Sequence, residues 1–184
     1  MIGNGPRNGF RVPQRNINNI RKAANSVSEF FGITDNVRDM SMSKFLDGLA
    51  QYGIAYDVLE SEDMPTLGVE ACCIPENLII CIRSDVFENA CNNEPRARFT
   101  IMHEFGHLIL GHQRTVNREN STAIQKTIED SEWQADQFAA EFLMPYEVIM
   151  SNSLKTEDQI QTYFNVSSSA AYLRIKQLTK RMEI

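Results

Sequence analysis

The sequence predicts an α+β fold: a small, mostly antiparallel sheet of about three strands packed on one central helix, with further helices on its flanks. Three observations carry this expectation. Apolar residues recur at helical spacing up to residue 53, the period shortens between residues 54 and 83, and helical spacing returns at 99–112 and 129–145. A strand-rich insert between helical stretches is the pattern of an α+β domain.

Taken in order, residues 1–14 are rich in Gly, Asn, Pro and Arg and have little to bury, so they are expected to be disordered or extended. Ile17, Ile20, Ala24, Val27, Phe30 and Phe31 mark a first helix closed by Gly32. A second helix runs from about Met42 to Tyr52, with Ser41 as N-cap and Gly53 as terminator. Three short strands follow, at 54–59, 68–74 and 77–83, separated by turns at 63–66 and at Pro75-Glu76. The last of them, Leu78, Ile79, Ile80, Cys81 and Ile82, is expected to be an edge strand able to pair with an extended peptide substrate. A short helix from Asp85 to Cys91 and a polar loop then lead into the central helix. Residues 15–152 are read as one domain, preceded by the 1–14 segment and followed by a helical, helix-turn-helix-like tail at 153–184.

The chain has 184 residues, of which 42% are hydrophobic and 23% charged, enough for one good core. A net charge of −6 and a pI near 5.1 give no overall field that would attract nucleic acid or an anionic membrane. The longest aliphatic stretch, Leu78 to Ile82, is far too short to span a bilayer, and the N-terminus has no apolar run, so a soluble, cytoplasmic protein is expected. Cys72, Cys73, Cys81 and Cys91 form no CxxC pair and are expected to be reduced, mostly buried thiols.

The chemistry concentrates in Phe99 to His112, which contains His103-Glu104-Phe105-Gly106-His107. With about 3.6 residues per turn, His103 and His107 lie on one helix face and can grip one divalent cation, while Glu104 beside them can act on a water without being a ligand. Gly106 costs roughly 1 kcal/mol of helix propensity, which suggests that something packs closely there. His112, five residues beyond His107, points roughly 140° away on an unbroken helix; the role expected for it is to favour the helix C-terminus. Leu110 and Gln113 exclude the longer HExxHxxGxxH pattern.

A polar loop, 113–125, precedes a second helix in which Trp133, Phe138, Ala139, Phe142 and Leu143 are spaced helically and Asp130 or Ser131 caps the start. Glu132 and Asp136 share a face of it. One carboxylate can bind the metal and the other can accept the second ring N–H of a ligand histidine. Two histidines and one carboxylate leave an open position, the composition of a catalytic zinc site. Glu129 is a competing ligand; Glu141, Asp130 and Asp85 are expected to be solvated.

RFTIMHEFGHLILGH followed by EWQADQFAAEFLMP closely resembles the ImmA/IrrE family of metallopeptidases, over about Asn77 to Pro145. The resemblance implies a zincin-like core and a thermolysin-type site: one Zn²⁺, or another divalent metal, on His103, His107 and Glu132, Glu104 as catalytic base, and Asp136 behind His103. It also implies proteolysis of a helix-turn-helix transcriptional repressor, hence an anti-repressor role, and a bacterial or phage-associated origin. The oxyanion donor is not named by the sequence; Tyr146 is a candidate, with helix packing its preferred role. A different reading is a regulatory or toxin-like protein-binding or DNA-binding module that uses the fold without cleaving. In the tail, FNVSSSAAYLRIKQL looks like the second half of a helix-turn-helix with Ser167 as N-cap. Ser167 to Ala171 carry no basic or amide side chain to read bases, so a packing or docking element is preferred over DNA binding. Oligomeric state and cleavage site stay open.

Overall fold

A computed structural model describes residues 9–33, 37–112 and 127–184. The polar loop expected at 113–125 and residues 1–8 of the N-terminal segment lie outside the described residues. The described residues form eight α-helices and a three-stranded sheet that packs against α2, α3 and α4, an α+β fold.

Helix α1 (Ile17–Phe30) starts where the Asn16 side chain accepts the Asn19 N–H, and it buries Ile20, Ala24 and Ser28. Helix α2 (Met42–Leu49) is capped by Ser41, and a 3₁₀ turn, Ala50–Tyr52, carries it to Gly53, whose φ of 74° ends it. Strands β1 (Ala55–Leu59), β2 (Ala71–Ile74) and β3 (Ile79–Arg83) follow, then α3 (Ser84–Cys91) and α4 (Pro95–Ile109). Glu94 caps α4 by accepting the Arg96 and Ala97 N–H groups, and Pro95 sits at its first position. The chain continues through α5 (Ser131–Leu143), α6 (Tyr146–Ser151), α7 (Glu157–Phe164) and α8 (Ser168–Lys180).

The strand order is β1-β3-β2, with β1 parallel and β2 antiparallel to β3. The expectation of a mostly antiparallel sheet is therefore corrected to a mixed one. After β1 the chain passes to the far side before β2 begins, and the tight β2–β3 hairpin then returns it into the gap between them. The expectation that Leu78 to Ile82 form a substrate-pairing edge is corrected too. Strand β3 is central: Ile79, Ile80, Cys81 and Ile82 face partners on both β1 and β2, and the Leu78 carbonyl accepts the Ala55 N–H. Ile80 and Ile82 are completely buried, and an unbroken apolar run is what a strand covered on both faces requires. The available edge beside α4 belongs to β2.

Behind the site, Phe45, Phe105, Phe138 and Phe142 form one aromatic cluster, with Phe45–Phe105 centroids 5.2 Å apart and Phe105–Phe138 6.0 Å apart. It pins α2, α4 and α5 through their apolar faces. Residues 9–15 run extended along 127–131: Val12 N–H donates to the Glu129 carbonyl, Arg15 N–H to that of Ile128, and Ser131 N–H to that of Phe10. Among the cysteines, Cys81 is buried, Cys72 and Cys73 are half-buried and Cys91 is exposed; all four are free thiols.

The tail is bound to the core by a buried ion network. Glu141, expected in solvent, is fully buried on α5, with Arg174 of α8 gripping both its oxygens at 2.8 and 2.7 Å and Arg21 of α1 at 3.1 Å. Arg21 also pairs with Glu183 at 3.0 Å, and Arg181 donates to Gln137 at 2.6 Å. Two of the tail's cations are thus spent internally, leaving Lys176 and Lys180 on the exposed face of α8. Burial pushes the Glu141 carboxyl up, but the Arg174 and Arg21 guanidinium groups outweigh it and hold the group below its ordinary range. A pKa lower in the folded than in the unfolded chain contributes stability above about pH 4.3, which is lost as pH falls through the folded value. Glu141→Gln, which leaves Arg174 buried without its counter-charge, is expected to lower unfolding free energy by about 3–5 kcal/mol at pH 7 and to flatten the acid limb of stability. Urea titrations from pH 7 to 3 check both; a variant as stable as the parent would remove the assignment.

Candidate metal centre

Helices α4 and α5 cross with the residue least able to obstruct them at the contact. A Cβ on Gly106 would meet Phe138 Cδ1 at 3.1 Å, Phe138 Cβ at 3.2 Å and the Ala135 carbonyl oxygen at 3.3 Å. The glycine therefore sets how closely α5 approaches the histidine face of α4, the close packing that its presence in a helix foreshadowed. Asp130 caps α5 by accepting the Glu132 and Trp133 N–H groups, which places Glu132 in the first turn beside the histidines.

Three ligand atoms converge there. His103 Nε2 and His107 Nε2 lie 3.1 Å apart, His103 Nε2 is 3.3 Å from Glu132 Oε2, and His107 Nε2 is 3.4 Å from Glu132 Oε1. Ligands about 2.0–2.1 Å from a tetrahedral cation stand roughly 3.3–3.4 Å from one another; each imidazole nitrogen has one Glu132 oxygen near that spacing, so the three side chains suit one small divalent ion. Among the described residues, His103, His107 and Glu132 form the one cluster of three such side chains. Glu129 lies elsewhere, its carboxylate taken by Arg11 and Gln14.

The groups behind the ligands are also in place. Asp136 Oδ1 is 3.0 Å from His103 Nδ1 and accepts its proton, which leaves Nε2 bare for the metal. Burial alone would depress His103, but the hydrogen bonds to Asp136 and Glu132 outweigh it and raise it to about 10. Glu132, which the two imidazoles face, is held below the usual carboxylate range. Glu104 lies on the β2 side: the Cys73 N–H donates to its Oε2 at 2.9 Å, and burial raises its pKa. The Arg21 guanidinium lies 4.0 Å above the ring of Tyr146.

His112 departs from the sequence expectation. Helix α4 stops at Ile109, Gly111 takes φ +62°, the His112 N–H bonds the His107 carbonyl and the Gly111 N–H that of Leu108. This is a Schellman closure, which returns the second residue past the cap onto the last full turn. His112 Nδ1 accordingly sits 2.9 Å from His107 Nδ1, and its Nε2 is 3.0 Å from Gln134 Oε1. Burial depresses its pKa to about 4 and keeps it neutral. The glycine before His112 was the available signal, since it ends the helix on which a 140° displacement would hold.

Asp136→Ala is expected to weaken zinc binding on the order of 10- to 100-fold by freeing the His103 ring. Competition against a chromophoric chelator measures it, and parental affinity would contradict the role.

Comparison with known proteins places this geometry. No curated protein matches the chain. A solved structure described as a Mycobacterium tuberculosis transcriptional regulator superimposes with a TM-score of 0.54 at 13% identity, over 84% of this chain and 46% of that one. The likeness is one of fold, and this chain spans less than half of that protein's length. The family model described as the IrrE N-terminal-like domain, a Peptidase_M78 model, matches residues 68–176, which include the sheet's β2–β3 hairpin, α4, α5 and the tail as far as Lys176. The chain belongs to this ImmA/IrrE family of metallopeptidase-like proteins.

Proposed function

We propose that the chain is a zinc-dependent endopeptidase that hydrolyses a peptide bond in a protein substrate, a helix-turn-helix transcriptional repressor. The observation that carries the reading is the position of Glu104. It stands beside three converged ligand atoms without joining them, with one oxygen held by the Cys73 N–H. A half-buried carboxylate beside the ligands, with burial raising its pKa, is suited to taking and returning a proton.

When bound, zinc supplies Lewis acidity, lowering the pKa of a coordinated water from about 15.7 towards 7. The chain's own residues do the rest. Glu104 takes a proton from the attacking water as its oxygen adds to the carbonyl carbon. It then delivers that proton to the departing nitrogen as the C–N bond breaks, giving a carboxylic acid and an amine, between which the remaining proton equilibrates as carboxylate and ammonium. Asp136 holds His103 in register throughout. The Cys73 N–H keeps one Glu104 oxygen fixed so that the other faces the water. An extended substrate lies along β2, the strand beside α4 whose outer edge is unpaired within the sheet. The repressor as substrate, and an anti-repressor role in the cytoplasm of a bacterium or in a mobile element, rest on the family resemblance.

A second reading, a regulatory module that binds without cleaving, is favoured by one finding: the solved neighbour is described as a transcriptional regulator. Glu104→Gln separates the two. The variant is expected to bind one zinc per chain yet to lose cleavage of the repressor encoded beside its gene, and chelator is expected to abolish cleavage by the parent. Parental cleavage by the variant would remove the catalytic assignment. Relief of repression by parent and variant alike, with neither cutting, would establish the binding module.

A further inference from the structure

The two ligand histidines are backed differently. Behind His103 stands a carboxylate; behind His107 stands a second imidazole. We propose that Gln134 and His112 are positioning residues that form a one-way hydrogen-bond relay, fixing His107 as the tautomer whose Nε2 lone pair faces the metal. The relay starts from main-chain carbonyls of residues 13 and 128, so an N-terminal strap outside the family-matched region is part of the metal centre. The proposal rests on the metal-site reading and not on proteolysis.

The direction of the relay follows from donors and acceptors once His112 is neutral, as suits a buried ring whose two hydrogen-bond partners, His107 and Gln134, include no carboxylate. Gln134 Nε2 lies 2.9 Å from the Pro13 carbonyl oxygen and 2.7 Å from that of Ile128. Both are obligate acceptors, so the NH₂ group must face them. The opposite amide orientation would set oxygen against oxygen twice and turn the NH₂ towards Arg15, whose Nη1 donates to Oε1 at 3.2 Å. With Oε1 fixed as an acceptor, His112 Nε2, 3.0 Å away, must carry a proton. The neutral ring then has a bare Nδ1, which accepts from His107 Nδ1–H at 2.9 Å. His107 is left with a bare Nε2, the atom that meets His103 and Glu132. Reversing the amide would set like groups together, and reversing the His112–His107 link would require a second proton on a fully buried ring.

The strap is built to hold this end. Phe10 lies edge-on to the His112 ring at 6.5 Å, Val12 is buried, and Arg15 N–H bonds the Ile128 carbonyl. Gly9 runs so close to the ligand helix that a Cβ there would come within 3.2 Å of Glu132 Cγ and collide with the Asp130 carboxylate. Gln134 is itself fully buried, so its amide is not exchanged for water.

Two measurements test this. Long-range ¹H–¹⁵N spectra of the metal-free parent are expected to report His107 as the Nδ1–H tautomer and His112 as the Nε2–H tautomer; the reverse assignment overturns the relay without reference to metal. Zinc competition with a chromophoric chelator is expected to give a 10- to 100-fold weaker Kd for His112→Phe, which keeps the ring but removes the acceptor. Gln134→Leu should weaken it in the same direction, and His112→Gln, which restores an acceptor, should recover part of the loss. Parental affinity in His112→Phe overturns the proposal, as does a lower melting temperature with tautomer and Kd unchanged, which would make His112 a packing residue only. A parent that binds no zinc would end the metal reading itself, while the tautomer spectra would still decide the relay.

Discussion

The structure depends on how closely two helices approach at Gly106. Its missing Cβ lets α5 settle onto α4 against Phe138 and the Ala135 carbonyl, and the phenylalanine cluster behind holds them there. Only at that separation does a carboxylate from the first turn of α5 reach two imidazoles on α4. The cap made by Asp130 then fixes the rotation of α5, so that Glu132 and Asp136 arrive together. Packing density, which a glycine adjusts to within tenths of an ångström, is thereby converted into ligand geometry.

Electrostatics explains why such convergence is tolerated. Two bare imidazole nitrogens and a carboxylate crowded to 3.1–3.4 Å make a pocket of negative potential. It is balanced either by protons, hence the raised His103 and lowered Glu132, or by a cation. The neighbours answer the same demand from outside: Asp136 and the neutral His112 each accept a ring proton, keeping both lone pairs inward.

Local signals in the sequence carried most of the fold. The caps at Ser41, Asp130 and Ser167 are where propensity puts them, and the His103–His107 and Glu132–Asp136 pairs meet because each pair shares a helix face. What was not legible is non-local or hinges on one residue. The buried Glu141 looked solvated because its partners Arg174 and Arg21 lie 33 and 120 positions away. Strand β3 looked like an edge because pairing on both sides is a property of topology, although its unbroken apolar run hinted otherwise. His112 was misplaced because Gly111 ends the helix and folds it back. The N-terminal strap has little apolar periodicity, and its hold on the core runs through main-chain bonds that no side-chain pattern announces.

Zinc-edge X-ray absorption on the purified, zinc-loaded chain tests the central claim most directly. The account predicts nitrogen and oxygen scatterers alone at about 2.0–2.1 Å, with the multiple-scattering signature of two imidazoles. Sulfur at about 2.3 Å, or a chain that retains no zinc after removal of excess metal, would contradict it.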